Sequence, residues 1–189
     1  MADPHPIAVI VGSLRKGSYN RLVAQALIQL AQPALQLRLL EIGKLPLYNQ
    51  DLEGGDLTPP QPWTDFREAL RPMHGVIFVT PEYNRGVPAA LKNAIDVGSR
   101  PYGAAAWTGK PAAIISASPG AMGGFGANHQ LRQSLVFLDM PPLQQPECYL
   151  SHIDKAFGPD GQLGDERLRG LLQKLLRTFE HWVECHHGH

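Results

Sequence analysis

Residues 7–20, IAVIVGSLRKGSYN, carry an unbroken aliphatic run straight into a turn of glycine, serine and arginine that opens a helix. A run such as Ile7 to Val11, apolar at every position, suits a strand covered on both faces, the environment of a parallel sheet. Parallel neighbours need crossover connections, so such a strand commits the chain to an α/β fold with helices on both sides. Beyond the turn, Leu22, Val23, Ala26, Leu27 and Leu30 fall on one face of a helix expected over Asn20–Gln32.

The same unit recurs along the chain. Pro33 ends the first helix, and Leu35, Leu37 and Leu39 then alternate with Gln36 and Arg38, as in an edge strand exposed on one face. Residues 43–61 form a long loop rich in glycine, proline and aspartate that contains LPLYNQDLEGGD; loops of this length are usually functional or disordered. A helix over Pro62–Arg71 leads to a second buried strand, Gly75–Thr80. Pro88 suits the first turn of a third helix, with Leu91, Ala94 and Ile95 inward. Ala112–Ala117 is the next buried strand, followed by a glycine-rich turn and a helix near Ala127–Asp139. A fifth strand lies within Leu143–Leu150, and Asp160–Gly161 marks a turn. Leu168, Leu171, Leu172, Leu175, Leu176, Phe179 and Val183 stripe a last helix.

Five strands alternating with five helices predict a three-layer α/β sandwich around a five-stranded parallel sheet. The flavodoxin-like order 2-1-3-4-5 leaves the half-exposed Leu35–Leu40 strand at an edge, as its alternation requires. Residues 1–189 are expected to form a single domain.

The turn after the first strand holds Gly12, Ser13, Arg15, Gly17, Ser18 and Asn20. Hydroxyls, an amide and a guanidinium there meet the positive end of a helix, a setting that takes an anion. An ordinary capped helix start, with Ser18 as N-cap, is the competing reading. Spacing removes two better-known phosphate motifs. A Walker A loop needs Lys and then Ser or Thr after its second glycine, but Gly17 is followed by Ser18 and Tyr19. A dinucleotide fingerprint needs a middle glycine that the stretch from Gly12 to Gly17 lacks. A monophosphate is thereby favoured, and in a doubly wound sheet FMN is the first candidate.

Ligands in this topology bind beyond the carboxyl ends of the strands, where the strand order reverses. Three loops meet there: GSLRKGSYN, PEYNRGVP and SASPGAMGGFG. In the second, Pro81 fixes a turn, Glu82 suits a hydrogen-bonding role better than that of a general base, Tyr83 offers a flat ring, and Asn84 suits the rim of a heterocycle. In the third, Ser118, Gly120 and the later glycines let a planar ring lie against backbone.

These stretches resemble the NAD(P)H-dependent FMN reductases, including their quinone and chromate reductase branch. The likeness is carried by GSLRKGSYN, LPLYNQDLE, VTPEYNRGVPAALKNAID and GKPAAIISASPGAMGG, followed by LRQSLVFLDM. It implies a flavodoxin-like fold, bound FMN, NADPH or NADH as hydride donor, and a homodimer or dimer of dimers with FMN near the subunit interface. By the matched motifs, Ser13, Arg15, Ser18 and Asn20 would hold the phosphate. Pro81, Glu82, Tyr83 and Asn84 would flank the isoalloxazine, with Ser118 and Gly120 in the third loop. The stretch GGFGANHQ departs from the family's pattern, so no interface or substrate contact is carried onto it. The flavin would perform the chemistry, so no catalytic side chain is expected. The acceptor would be a quinone, a similar small molecule or free flavin.

Composition narrows the partners. Seventeen basic residues balance seventeen acidic ones, which argues against a nucleic-acid footprint. It also argues against the main alternative, a non-enzymatic flavodoxin-type electron carrier with an acidic surface that steers redox partners. A receiver-type signalling domain needs an acidic cluster where Gly12 and Ser13 stand. The apolar run behind MADPHP is too short for a signal segment or a membrane span, and Cys148 and Cys185 imply no disulfide framework. A cytoplasmic protein is expected. The tail, with His181, Cys185, His186, His187 and His189, reads as a solvated terminus rather than a metal site. Arg132, Leu135, Val136, Phe137 and Leu138 lie on a helix apolar almost all round, which predicts burial in the core or at a subunit interface.

Overall fold

The continuous apolar runs become the middle of the sheet. A computed structural model describes residues 3–53 and 58–186. In chain order its main elements are β1 (His5–Val11), α1 (Tyr19–Leu30), β2 (Leu35–Leu40), α2 (Gln61–Leu70), β3 (Gly75–Thr80) and α3 (Ala89–Gly98). They continue with β4 (Ala112–Ala117), α4 (Phe125–Phe137), β5 (Cys148–Leu150) and α5 (Glu166–His186). The strands form one parallel sheet in the order β2-β1-β3-β4-β5. Every residue of β3 and β4 is buried, because both faces are covered.

Strand alternation sorts the core into two layers. Ile7, Val9, Val11, Ile77 and Val79 face α1 and α5, where Val23, Leu27, Leu172, Leu175 and Phe179 complete the packing. Ala8, Ile10, Val76 and Phe78 face the other way, toward Trp63, Phe66, Leu91, Trp107 and Leu131. At the β2 edge Leu35 is buried, Leu37 and Leu39 are half-buried against the α1–α5 layer, and Gln36 and Arg38 are exposed.

Several boundaries differ from those the sequence predicts. Strand β1 begins two residues before Ile7, because His5 and Pro6 already pair with Leu35 and Gln36. Helix α1 stops at Leu30, and α4 starts at Phe125, where Gly124 with φ 76° opens it. Pro88 precedes α3 in extended conformation instead of entering its first turn. Strand β5 has three residues, its length set by pairing with Ile115–Ala117. On α4, Leu131 and Leu135 are buried, but Val136 and Phe137 are 71% and 79% exposed. Core burial does not account for those two. Gly54, Gly55 and Asp56 of the long loop, and His187 and His189 of the tail, lie outside the described residues. No helix among the described residues is long and apolar enough to cross a membrane.

Candidate functional site

The loops after β1, β3 and β4 converge at the carboxyl edge of the sheet, where β1 and β3 lead their crossovers in opposite directions. Their residues line a cavity of about 150 Å³. The first loop contributes Ser13, Arg15, Ser18, Tyr19 and Asn20; the second contributes Pro81, Glu82 and Tyr83. Ala117, Ser118 and Pro119 close the third side. This volume is below the roughly 300–1,000 Å³ of pockets that enclose a whole small-molecule ligand. It suits one end of a ligand whose remainder lies across the open face.

The floor is polar and largely buried. Ser13, Ser18 and Asn20 are each 5% exposed or less. Ser18 is the N-cap of α1, its Oγ accepting from the Arg21 N–H at 3.4 Å, so its own hydroxyl proton remains for a ligand. The N–H groups of Tyr19 and Asn20 precede the first bonds of the helix, which begin with Arg21 and Leu22 donating to the Ser18 carbonyl. Capping and anion binding therefore coexist here. Asn20 donates to the Ala117 carbonyl at 3.4 Å, tying the first loop to β4, while its buried Oδ1 has no partner among the described residues. The exposed Arg15 guanidinium lies 5.5 Å from the centre of the Tyr19 ring. Gly12 is needed for close approach, since a Cβ there would lie 2.8 Å from Thr80 Oγ1.

The second loop is held from behind. The Ala127 N–H, in the first turn of α4, donates to Glu82 Oε2 at 3.0 Å, so this carboxylate sits on the positive end of a helix. That occupation fits a bonding role for Glu82 better than a general base. Tyr83 and Gly86 exchange both backbone bonds, at 3.1 and 3.0 Å, around Asn84 and Arg85 with φ 51° and 66°. Positive φ at both central residues makes this a tight two-residue hairpin turn. It lifts Tyr83 to 52% exposure, with its ring beside the cavity. Asn84 shapes the turn through its backbone and does not line the cavity. In the third loop, Ser118 Oγ accepts from the Gly120 N–H at 3.0 Å, and Gly120 lies just outside the lining.

Sequence reasoning missed Tyr19, Ala117 and Pro119 as lining, and it missed Asn93. That residue sits 8% exposed on α3, among Leu91, Ala94 and Ile95. It accepts from the Tyr48 N–H at 2.8 Å and donates to the Leu45 and Pro46 carbonyls at 3.2 and 3.0 Å. A polar residue on the inner face of an apolar helix was the available signal. The loop it holds follows Gly43, where a Cβ would lie 3.2 Å from the Leu14 side chain of the first loop. Cys148, the first residue of β5, is no nucleophile: burial pushes its thiol up to about 12.

The chain is similar to known proteins along most of its length. Residues 6–155 match the family model described as NADPH-dependent FMN reductase. A quinone reductase of Pseudomonas putida is 56% identical over 184 residues, covering 97% of each chain. A 2-hydroxy-1,4-benzoquinone reductase of a Burkholderia species is 41% identical over 177 residues, covering 94% of this chain and 95% of that one. Among solved structures, FerB of Paracoccus denitrificans, a flavoenzyme NAD(P)H:(acceptor) oxidoreductase, superposes with a TM-score of 0.89 at 38% identity, covering 96% of this chain and 98% of its own.

Proposed function

From the premise that the chain belongs to the NADPH-dependent FMN reductase family, we propose that it takes hydride from NAD(P)H through FMN seated on the three loops and delivers the electrons to a quinone or a similar small acceptor. The observation that carries this reading is the polar floor at the start of α1. Its donors suit a phosphate: the Ser13 and Ser18 hydroxyls, the Arg15 guanidinium and the N–H groups of Tyr19 and Asn20. The buried, unpartnered Asn20 Oδ1 adds an acceptor that suits a sugar hydroxyl.

Bound FMN supplies the hydride chemistry, and the protein supplies seat, orientation and electrostatics. Pro81, Glu82 and Tyr83 form the wall against which the ring system rests, backed by the hairpin turn at Asn84. Ser118 and Gly120 border its far side. The open face over Tyr83 leaves room for donor and acceptor to take the same place in turn. The exposed Val136 and Phe137 support a homodimer or dimer of dimers, and the reading places the protein in the cytoplasm.

Two measurements test it. NADPH oxidation by the purified chain with FMN and a quinone, and no partner protein, should proceed with many turnovers; retained FMN without turnover would favour the electron-carrier alternative. Arg15→Ala should weaken FMN by roughly 10- to 150-fold, the equivalent of about 1.5–3 kcal/mol for a charged hydrogen bond, and leave riboflavin almost unaffected. Equal losses for both ligands would remove Arg15 from the phosphate.

A further inference from the structure

We propose that Gln130 is a positioning residue for the flavin site: with the start of α4 it clamps both ends of the hairpin that carries Tyr83, and so sets where that wall of the site stands. The proposal rests on the reading that FMN sits on the three loops, and it adds a residue that does not line the cavity.

The hairpin stands clear of the core. Pro81 and Pro88 are buried at its two feet, while Tyr83, Asn84 and Arg85 between them are exposed. The paired backbone bonds between Tyr83 and Gly86 fix the shape of the turn but not its position over the cavity. Position falls to the residues on either side, Glu82 and Val87, and both meet α4. Glu82 Oε2 accepts from the Ala127 N–H at 3.0 Å, and the Val87 N–H donates to Gln130 Oε1 at 2.6 Å. Ala127 and Gln130 are three positions apart on α4, the spacing of neighbours on one helical face. A single rigid element therefore holds both feet of the turn.

The space at this joint is set as closely as the bonds. A Cβ at Gly86 would lie 2.8 Å from Gln130 Oε1. One at Gly126 would lie 2.9 Å from Glu82 Oε2 and 3.0 Å from the Arg85 carbonyl oxygen. Gln130 is itself exposed, so it acts through its bond to another segment's backbone and not through burial in the core. It is also the last residue of GGFGANHQ, where the sequence departs from the family's pattern. The phosphate seat at the start of α1 belongs to a different loop. Loosening the clamp should weaken the hold on the ring and spare the hold on the phosphate, the reverse of Arg15→Ala.

The test pairs two variants of similar side-chain length. Gln130→Glu keeps an accepting oxygen for the Val87 N–H, whereas Gln130→Met keeps the bulk and the helix and loses the acceptor. In the full chain without flavin, amide exchange at Tyr83, Gly86 and Val87 should quicken roughly 2- to 10-fold in Gln130→Met, the range of one hydrogen bond. It should stay at the wild-type rate in Gln130→Glu. With flavin, Gln130→Met should weaken FMN and riboflavin by the same factor, roughly 2- to 10-fold, because both carry the ring. Gln130→Glu should bind both as the wild type does. Protection of β3 and β4 reports that each variant is folded. Wild-type exchange in Gln130→Met, equal quickening in the two variants, or quickened exchange with riboflavin binding unchanged would each overturn the proposal. So would a loss confined to FMN, which would place the effect at the phosphate. A wild type that binds neither flavin overturns the flavin reading and with it the role of Gln130, and the exchange rates tell that outcome apart from a failed clamp.

Discussion

The layer of core between the sheet and α1 and α5 is packed mainly from Val, Leu and Ile, whereas the layer under α2, α3 and α4 contains Trp63, Phe66, Phe78 and Trp107 and is tied to loops by directional bonds. Trp107 Nε1 donates to the Ile95 carbonyl at 2.9 Å, and Trp63 Nε1 donates to the Pro46 carbonyl at 2.9 Å. Arg67, 4% exposed, donates to the Val97 carbonyl at 2.8 Å and pairs with the Glu53 carboxylate. Aliphatic packing is non-directional and stabilises a layer as a whole. Hydrogen bonds from buried side chains select one path for a loop, because a buried polar group left unpaired is costly. One face thus supplies stability, and the other also sets the shape of the segment from Leu45 to Glu53.

The largest effect that tests this comparison is a deletion in each layer. Trp107→Ala should cost about 3–5 kcal/mol and Leu172→Ala about 2–5 kcal/mol, both residues being fully buried. Urea unfolding measures both. Because the two layers share one sheet, tryptophan fluorescence and far-UV circular dichroism should change together in each variant. Separate transitions would mean that the faces unfold as different units, and the comparison would then be between two subdomains.

A smaller effect falls on the loop. Asn93→Ala removes three bonds at once, leaves the Tyr48 N–H without its acceptor, and should cost about 1–3 kcal/mol. Its clearer signature is local. Amide hydrogen exchange should quicken over residues 45–53 while β3 and β4 keep their protection. Asn93→Asp, which retains the acceptor for Tyr48 and loses both donors, should lie between. Unchanged exchange in the alanine variant would show that Trp63 and Arg67 hold the loop without Asn93.

What the sequence discloses divides along the same line. Ile7–Val11, Gly75–Thr80 and Ala112–Ala117 are legible because strands buried on both faces leave unbroken apolar runs, and α5 is legible because its stripe is long. Strand β5 is not, since its three residues are selected by the neighbouring edge of β4. The site's loops are legible by their position at strand ends, and Ser13, Arg15, Ser18 and Asn20 line one cavity. Asn84 reads as a side-chain donor, and its φ of 51° adds a place in a turn that the sequence did not show. The seat of Glu82 on the start of α4 was invisible because its partner, Ala127, is 45 positions away. Val136 and Phe137 suit the inside by hydropathy and stand outside, because hydropathy alone does not say which side of a helix the fold covers.

The smallest expected effect concerns a directional contact on the aliphatic side. Arg21 of α1 meets Glu41, just after β2, through two bonds of 2.8 Å, but the side chains are 31% and 61% exposed. Solvent screens such a pair, so Glu41→Gln should cost only about 0.2–1 kcal/mol at pH 7 and less in high salt. Hydrogen bonds from Arg21 hold the Glu41 carboxyl below its ordinary range. A carboxylate depressed in the folded state stabilises above its unfolded value, about 4.3 for glutamate, and that contribution is lost as pH falls through the lower folded value. The wild type and Glu41→Gln should therefore differ slightly at pH 7 and converge in acid. Urea midpoints across pH at two salt concentrations measure this. A difference well above 1 kcal/mol, or one insensitive to salt, would show that the aliphatic face also relies on a directional bond, and the contrast between the two faces would narrow to their aromatic content.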